Sequence, residues 1–260
     1  MKITKKNNTK NLSAKTHSPV IGILPPFVYK KKPGISFSVC YATYVKAIEE
    51  QRAVPIIIPI MINKRVIENT LDIVDGILLT GGTPFLVEKN KTKSLAVQSP
   101  KRYDFEKKLI KKAYSIDIPI LGICRGHQML SQLFGGKTQL NIYQKKRKKT
   151  HKNIKHKGTK RDDQFHYINI KKNTLLFSIL KKQRTLVNSA HRQAVLKPPK
   201  NFVVSAKADD GLIEAIESKE HSFCIGVQCH PERLSRNKEF SRKLYKSFIK
   251  ACKNYRSKKS

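Results

Sequence analysis

The chain has 260 residues, enough for one large α/β domain with a full hydrophobic core. Its 39% hydrophobic content includes no apolar run of membrane-spanning length, and no apolar stretch follows the basic N-terminus, which argues against a membrane span and a secretory leader. The formal net charge of +36, from 54 Lys+Arg against 18 Asp+Glu, is spread over every segment, so it reads as compositional drift more than as a dedicated nucleic-acid or membrane surface. Five scattered cysteines form no disulfide framework and point to a reducing, cytoplasmic compartment.

Residues 1–18 are polar and basic and predict a disordered leader. Val20 to Leu24 predicts the first strand, closed by Pro25-Pro26, with a loop over Phe27 to Phe37. Val39 to Glu50 reads as a helix. Ala53 to Ile58 is a continuous apolar run, the pattern of a strand covered on both faces. A short helix over Asn63 to Leu71 precedes a turn at Asp75-Gly76 and a third strand ending in Thr80-Gly81-Gly82. Two glycines at a strand's C-terminal end let backbone N–H groups approach a ligand, which suits an oxyanion site. Glu88 to Lys101 reads as a loop and Phe105 to Ser115 as a helix.

Ile118 to Ile123 is a short buried strand, and Gly122-Ile123-Cys124-Arg125-Gly126 follows from it. This is the Gly-x-nucleophile-x-Gly spacing of a nucleophile elbow, with helix His127 to Leu133 behind it. The glycines are needed because the turn is tight and bulk there would meet the sheet. The helix N-terminus favours a thiolate at Cys124. A short strand is expected within Lys137 to Ile142.

Lys145 to Arg161 holds ten lysines and arginines and no acid, and predicts a solvated loop. It lacks interleaved aromatics for base stacking, so no specific nucleic-acid role is expected. His151 and His156 are expected to be solvated with it. Strand Phe165 to Ile170, helix Leu175 to Leu180 and the polar cluster Asn188 to Gln193 come next. A hairpin of Phe202 to Ala208 and Leu212 to Glu217 turns at Asp209-Asp210-Gly211. Phe223 to Cys229 is the last buried strand, followed by His230-Pro231-Glu232. Glu239 to Lys253 closes the chain as an amphipathic helix, and Asn254 to Ser260 reads as a fraying basic tail.

These residues supply a thiolate, a base and a group to hold the base. Cys124 can attack a carbonyl, His230 can move the proton, and Glu232 can orient and stabilise the imidazolium. No metal is expected. Cys224, Cys229 and His230 are close in sequence, but the two cysteines, five apart on a strand, face opposite ways.

Gly122-Ile-Cys-Arg-Gly-His-Gln128 together with Gly226-Val-Gln-Cys-His-Pro-Glu232 resembles the class I glutamine amidotransferase superfamily, most closely its γ-glutamyl-γ-aminobutyrate hydrolase (peptidase C26) branch. Asp75 to Gly82, Asn188 to Ala194 and Ala208 to Ala215 also match that branch, and the likeness runs from about Val20 to Phe248. The resemblance implies a three-layer α/β/α flavodoxin-like domain over residues 19–253 with a mainly parallel central sheet. It implies a triad of Cys124, His230 and Glu232, and an oxyanion hole from the N–H groups of Gly82 and Arg125. Gln128, Ser189 and His191 would lie near the substrate. No cofactor is implied. Three departures concern the run Thr83 to Val87, the Arg102-Tyr103 pair, and Cys229, where the branch favours an aromatic residue.

The expected activity is hydrolysis of small γ-glutamyl amides through a thioester on Cys124. Two alternatives are a glutaminase subunit delivering ammonia from glutamine to a synthetase partner, and a non-enzymatic basic scaffold or nucleic-acid binder. The sequence leaves a homodimer open.

Overall fold

A computed structural model describes residues 18–29, 36–82, 100–139, 141–142, 156, 164–234 and 237–259. The expected disordered leader over residues 1–17, the loop after Gly82 and nearly all of the basic segment, His151 included, lie outside the described residues.

The first half alternates strands and helices: β1 (Val20–Leu24), β2 (Phe27–Tyr29), β3 (Ser36–Ser38), α1 (Ala42–Glu49), β4 (Val54–Ile57), α2 (Lys64–Ile73), β5 (Gly76–Leu79), α3 (Pro100–Ser115), β6 (Ile120–Ile123) and α4 (Arg125–Leu133). The second half is richer in strands: β7 (Lys137–Gln139), β8 (Gln164–Ile170), α5 (Leu175–Leu180), β9 (Arg184–Ser189), β10 (Ala194–Lys197), β11 (Phe202–Ala208), β12 (Ile213–Ser218), β13 (Cys224–Val227) and α6 (Lys238–Lys259). One large sheet runs in the order β4-β1-β5-β6-β13-β12-β11-β8-β9, with β10 pairing β12 and β7. From β4 to β13 every pairing is parallel; beyond β13 every pairing is antiparallel.

Side chains alternate between the two faces of the parallel core, as the two-residue period of a strand requires. Ile21, Ile23, Leu121, Ile123, Ile225 and Val227 pack under α1, α5 and α6. Ile77, Leu79, Ile120 and Cys224 pack under α2, α3 and α4. The result is the three-layer α/β/α arrangement that the sequence implies. The buried stripe Phe105, Leu109, Ile110 and Ala113 keeps α3 on its face, and each large side chain there is worth about 1.5–3 kcal/mol of burial. Asn63 caps α2 by accepting from the Arg65 and Val66 amides. None of the described helices is long and apolar enough to cross a membrane.

Some expectations change. The run Ala53 to Ile58 is not a central strand: β4 is the sheet's edge, and Val54 and Ile57 remain 45% and 49% exposed. The expected loop after Pro26 contains an antiparallel pair, β2 with β3. The closing helix does not fray at Asn254 but continues to Lys259. Its last turns are tied down by Arg256 Nη1, 2.8 Å from Asp75 Oδ2, and by Lys259 Nζ, which donates to the Leu71 and Asp72 carbonyls. Cys40 precedes α1 rather than lying within it.

Candidate active site

Three parallel strands end side by side. β5 runs into Thr80-Gly81-Gly82, β6 into Cys124, and β13 into Gln228-Cys229-His230. Leu79 is in register with Gly122, and Ile123 with Val227, so the three chain ends emerge level with one another. Crevices at the C-terminal ends of parallel strands are where α/β folds collect ligands.

Cys124 occupies a backbone conformation that side chains rarely adopt, with φ 50° and ψ −97°, directly before α4. Such strain is what an elbow uses to hold its nucleophile out of the sheet. The flanking glycines are forced by contact. A Cβ on Gly126 would lie 2.4 Å from the Leu79 carbonyl oxygen, and one on Gly122 would lie 2.8 Å from the Gly126 carbonyl carbon. The Cys124 amide donates to the Val227 carbonyl at 2.8 Å, which ties the elbow to β13.

His230 Nδ1 lies 2.8 Å from Glu232 Oε1, the bend being made by a 3-10 turn at Pro231–Arg233. Asn188 fixes the His230 backbone from both sides: its Nδ2 donates to the His230 carbonyl and its Oδ1 accepts from the His230 amide, each at 3.0 Å. Burial by itself would lower the His230 pKa. The Glu232 charge, and the charge of and hydrogen bond with Cys124, outweigh it and raise the imidazole from 6.5 to about 10.

Gly81 sits tightly between functional groups: a Cβ there would be 2.8 Å from His230 Cε1 and 2.9 Å from the Tyr44 hydroxyl. The Gly81 amide donates to that hydroxyl at 2.9 Å. Beside Gly82 lies a buried ionic cluster. Glu106 Oε1 accepts from Arg102 Nε at 2.7 Å and from Arg125 Nη1 at 2.8 Å, while Oε2 lies 2.8 Å from Arg125 Nη2. Burial opposes ionisation of Glu106, but the two guanidinium groups prevail and hold its carboxyl below its usual range. Arg102 Nη1 and Nη2 are buried without a hydrogen-bond partner among the described residues.

The residues expected to contact substrate are placed less directly. Gln128 is buried and donates to the Gln193 carbonyl and to Gln228 Oε1, both at 3.1 Å. Gln228 in turn donates to Cys124 Sγ at 3.4 Å. Ser189 and His191 are buried in a histidine cluster: Ser189 Oγ donates to the His156 carbonyl at 2.8 Å, and His191 Nε2 lies 3.5 Å from Glu214 Oε1. His156 belongs to this cluster, so the expectation that it is solvated is overturned. It is fully buried, with Nε2 2.9 Å from Asp210 Oδ2. Charge density misled there, because a single histidine in a lysine run can be drawn inward by carboxylates far away in sequence. Cys224 and Cys229 do face opposite sides of the sheet.

The peptidase C26 family model matches residues 19–232. The chain belongs to the peptidase C26 family. Among curated relatives of this C26 chain, a glutamine amidotransferase-like protein of Rickettsia prowazekii is 32% identical, covering 90% of this chain and 98% of the relative. A γ-glutamyl-γ-aminobutyrate hydrolase of Escherichia coli K12 is 29% identical over 92% of this chain and 95% of the relative. A solved structure from Thermoplasma acidophilum, described as part of a GMP synthase, superposes with a TM-score of 0.63 at 18% identity, covering 93% of this chain and 98% of that one, a likeness of fold.

Sequence reasoning missed Tyr44, Gln228, Asn188 as a clamp, and the Arg102–Glu106–Arg125 cluster. Only the last had a local signal, the i,i+4 spacing of Arg102 and Glu106, and it was hidden because the helix begins at Pro100 and not at the expected Phe105. Tyr44 and Gln228 meet their partners through contacts spanning 37 and 104 positions.

Proposed function

We propose that this C26 protein hydrolyses γ-glutamyl amide bonds of small molecules with Cys124, His230 and Glu232 as its triad. The observation that carries the reading is the strained Cys124 elbow beside a histidine that is hydrogen-bonded to Glu232 at 2.8 Å and held protonated to about pH 10. In the first step the Cys124 sulfur bonds to the γ-carbonyl carbon. The imidazole, having taken the thiol proton, delivers it to the departing amine as the C–N bond breaks. Water then attacks the thioester, His230 accepts its proton, and the C–S bond breaks to release glutamate and restore the thiol. The Gly81 amide is engaged by Tyr44, which leaves Gly82 and Arg125 as the N–H donors for the developing oxyanion.

Two buried guanidinium groups facing one carboxylate leave an excess positive charge beside Gly82. We assign Arg102, whose terminal nitrogens have no partner among the described residues, to the substrate's α-carboxylate. Gln128 then acts through Gln228 on the thiol rather than on the substrate.

The test is a panel of γ-glutamyl amides, γ-glutamyl-γ-aminobutyrate and free glutamine included, assayed with the wild type, Cys124→Ala and Arg102→Gln. The expected result is turnover without a partner protein, abolished in Cys124→Ala, with KM raised more than kcat is lowered in Arg102→Gln. Turnover of glutamine only when a synthetase is added would replace this reading with an ammonia-donating role. Turnover that survives in Cys124→Ala would refute the triad.

A further inference from the structure

Behind the strand ends, four distant parts of the chain bring imidazoles to one carboxylate. Glu214 lies on β12, His166 on β8, His191 in the turn after β9, and His156 in the segment before β8. Glu214 Oε1 lies 3.4 Å from His166 Nε2, 3.5 Å from His191 Nε2 and 3.6 Å from His156 Nδ1. Ligand atoms of His156, His166 and Glu214 all lie within 4.8 Å of one another. All four residues are buried.

These contacts are too long for good hydrogen bonds but suit a different geometry. A tetrahedral ion with imidazole and carboxylate donors at about 2.0–2.1 Å separates neighbouring donors by about 3.3–3.4 Å. The three oxygen-to-nitrogen distances lie just above that edge length.

The outer contacts fix the direction of the lone pairs. His191 Nδ1 lies 2.8 Å from the Gln193 carbonyl, which can only accept, so Nδ1 carries the proton and a neutral ring turns the Nε2 lone pair toward Glu214. His156 Nε2 meets the Asp210 carboxylate at 2.9 Å, so a proton lies there, and a neutral ring carries its lone pair on Nδ1, 3.6 Å from Glu214 Oε1 and 3.4 Å from Ser189 Oγ, whose own hydrogen goes to the His156 carbonyl. A carboxylate behind a ligating histidine is the usual support of a metal-bound imidazole. Lone pairs converging on an anion repel unless a cation lies between them. Consistent with that gap, both ring nitrogens of His166, Nε2 of His191 and both oxygens of Glu214 are buried with no hydrogen-bond partner of good geometry among the described residues. The charge agrees as well: among neutral imidazoles Glu214 is a buried negative charge, which a cation balances.

We propose that His156, His166 and Glu214 bind a divalent transition metal, zinc by donor type, with His191 beside Glu214 and Asp210 behind His156. The ion would fasten His156 to the antiparallel half of the sheet.

The experiment uses the tag-free full chain, as wild type and as Cys124→Ala, with elemental analysis by mass spectrometry. The expected content is about one equivalent of zinc or another first-row metal in both proteins, lost in Glu214→Gln and in His166→Asn. Chelation should lower Tm by about 5–10 °C, and added zinc should restore it. Cobalt(II) added to the chelated protein should give the intense visible ligand-field bands of a tetrahedral site, without a thiolate charge-transfer band. Should the variants fail to fold, X-ray absorption at the metal edge of the wild type decides, because imidazole and sulfur scatterers are distinguishable. Absence of metal as purified, with no Tm response to zinc and no cobalt spectrum, would overturn the site and leave protonated histidines pairing with Glu214. Cobalt bands unchanged in folded Glu214→Gln would overturn the ligand set.

Discussion

Replacing Glu232 by glutamine tests the proposed chemistry most sharply, because shape and hydrogen-bonding capacity stay while the charge goes. His230 holds its proton to about pH 10 against an ordinary 6.5, so its proton affinity rises by between three and four powers of ten even though burial pulls the other way. Glu232 shares that gain with Cys124. If its share is about one to three powers of ten, kcat should fall about tenfold to a thousandfold, each tenfold being about 1.4 kcal/mol. A serine triad loses about 10⁴ on the corresponding change, and a thiol needs the third member less because it ionises more readily. The direction of the pH effect is also fixed. His230 must be protonated to return a proton to the leaving amine, so the alkaline limb of the wild-type profile should fall near pH 10 and move to lower pH in the variant. Amine release from a γ-glutamyl amide, followed from about pH 6 to about pH 10.5, measures both quantities. A folded Glu232→Gln with full turnover and an unmoved alkaline limb would refute the reasoning.

Gly126→Ala would press a methyl group to 2.4 Å from the Leu79 carbonyl; it should cost about 1–3 kcal/mol or more in urea denaturation and most of the activity. Glu106→Gln leaves the two guanidinium groups it joins without a counter-charge and should cost about 3–5 kcal/mol. Glu106 is held below its usual carboxylate range, so its contribution is present above the unfolded value of 4.5 and lost as pH falls through the native value; acid titration of stability should therefore differ between wild type and variant only at low pH. Mild iodoacetamide should label Cys124 first by peptide mapping, because burial raises the pKa of Cys40, Cys224, Cys229 and Cys252 alike; earlier labelling of any of these four would contradict the elbow assignment.

What was legible in the sequence is what lies close together along it. The elbow announces itself through two glycines bracketing Cys124, and His230 and Glu232 are separated by a single proline. The parallel half of the sheet is likewise visible in short apolar runs such as Ile120–Ile123. The edge position of β4 had one signal, Pro55, which cannot donate to a ladder and so suits an edge strand, but the apolar run around it reads as a covered strand. The site's supports were not legible. Tyr44 reaches Gly81 and Asn188 reaches His230 only after the sheet has assembled. The buried histidine cluster draws on residues from 156 to 214 with no ligand-like spacing between them, and a surrounding excess of lysines concealed its first member.

The level ending of β5, β6 and β13 determines how this protein can change. Backbone ladders set the separation of Cys124 from the Gly81-Gly82 turn and from His230, and a ladder shifts only by whole residues. Slippage by one position would turn every side chain of that strand to the opposite face and remove the thiol from the crevice. Insertions or deletions inside these strands therefore abolish the alignment outright instead of detuning it. Beyond the strand ends, and outside the Gly81-Gly82 turn, the Cys124 elbow and the His230–Glu232 bend, no ladder of these three strands constrains the sequence. Selection for a new leaving amine can act on the loops there freely while the reacting atoms keep their spacing, and a library confined to those loops is the economical route to altered specificity.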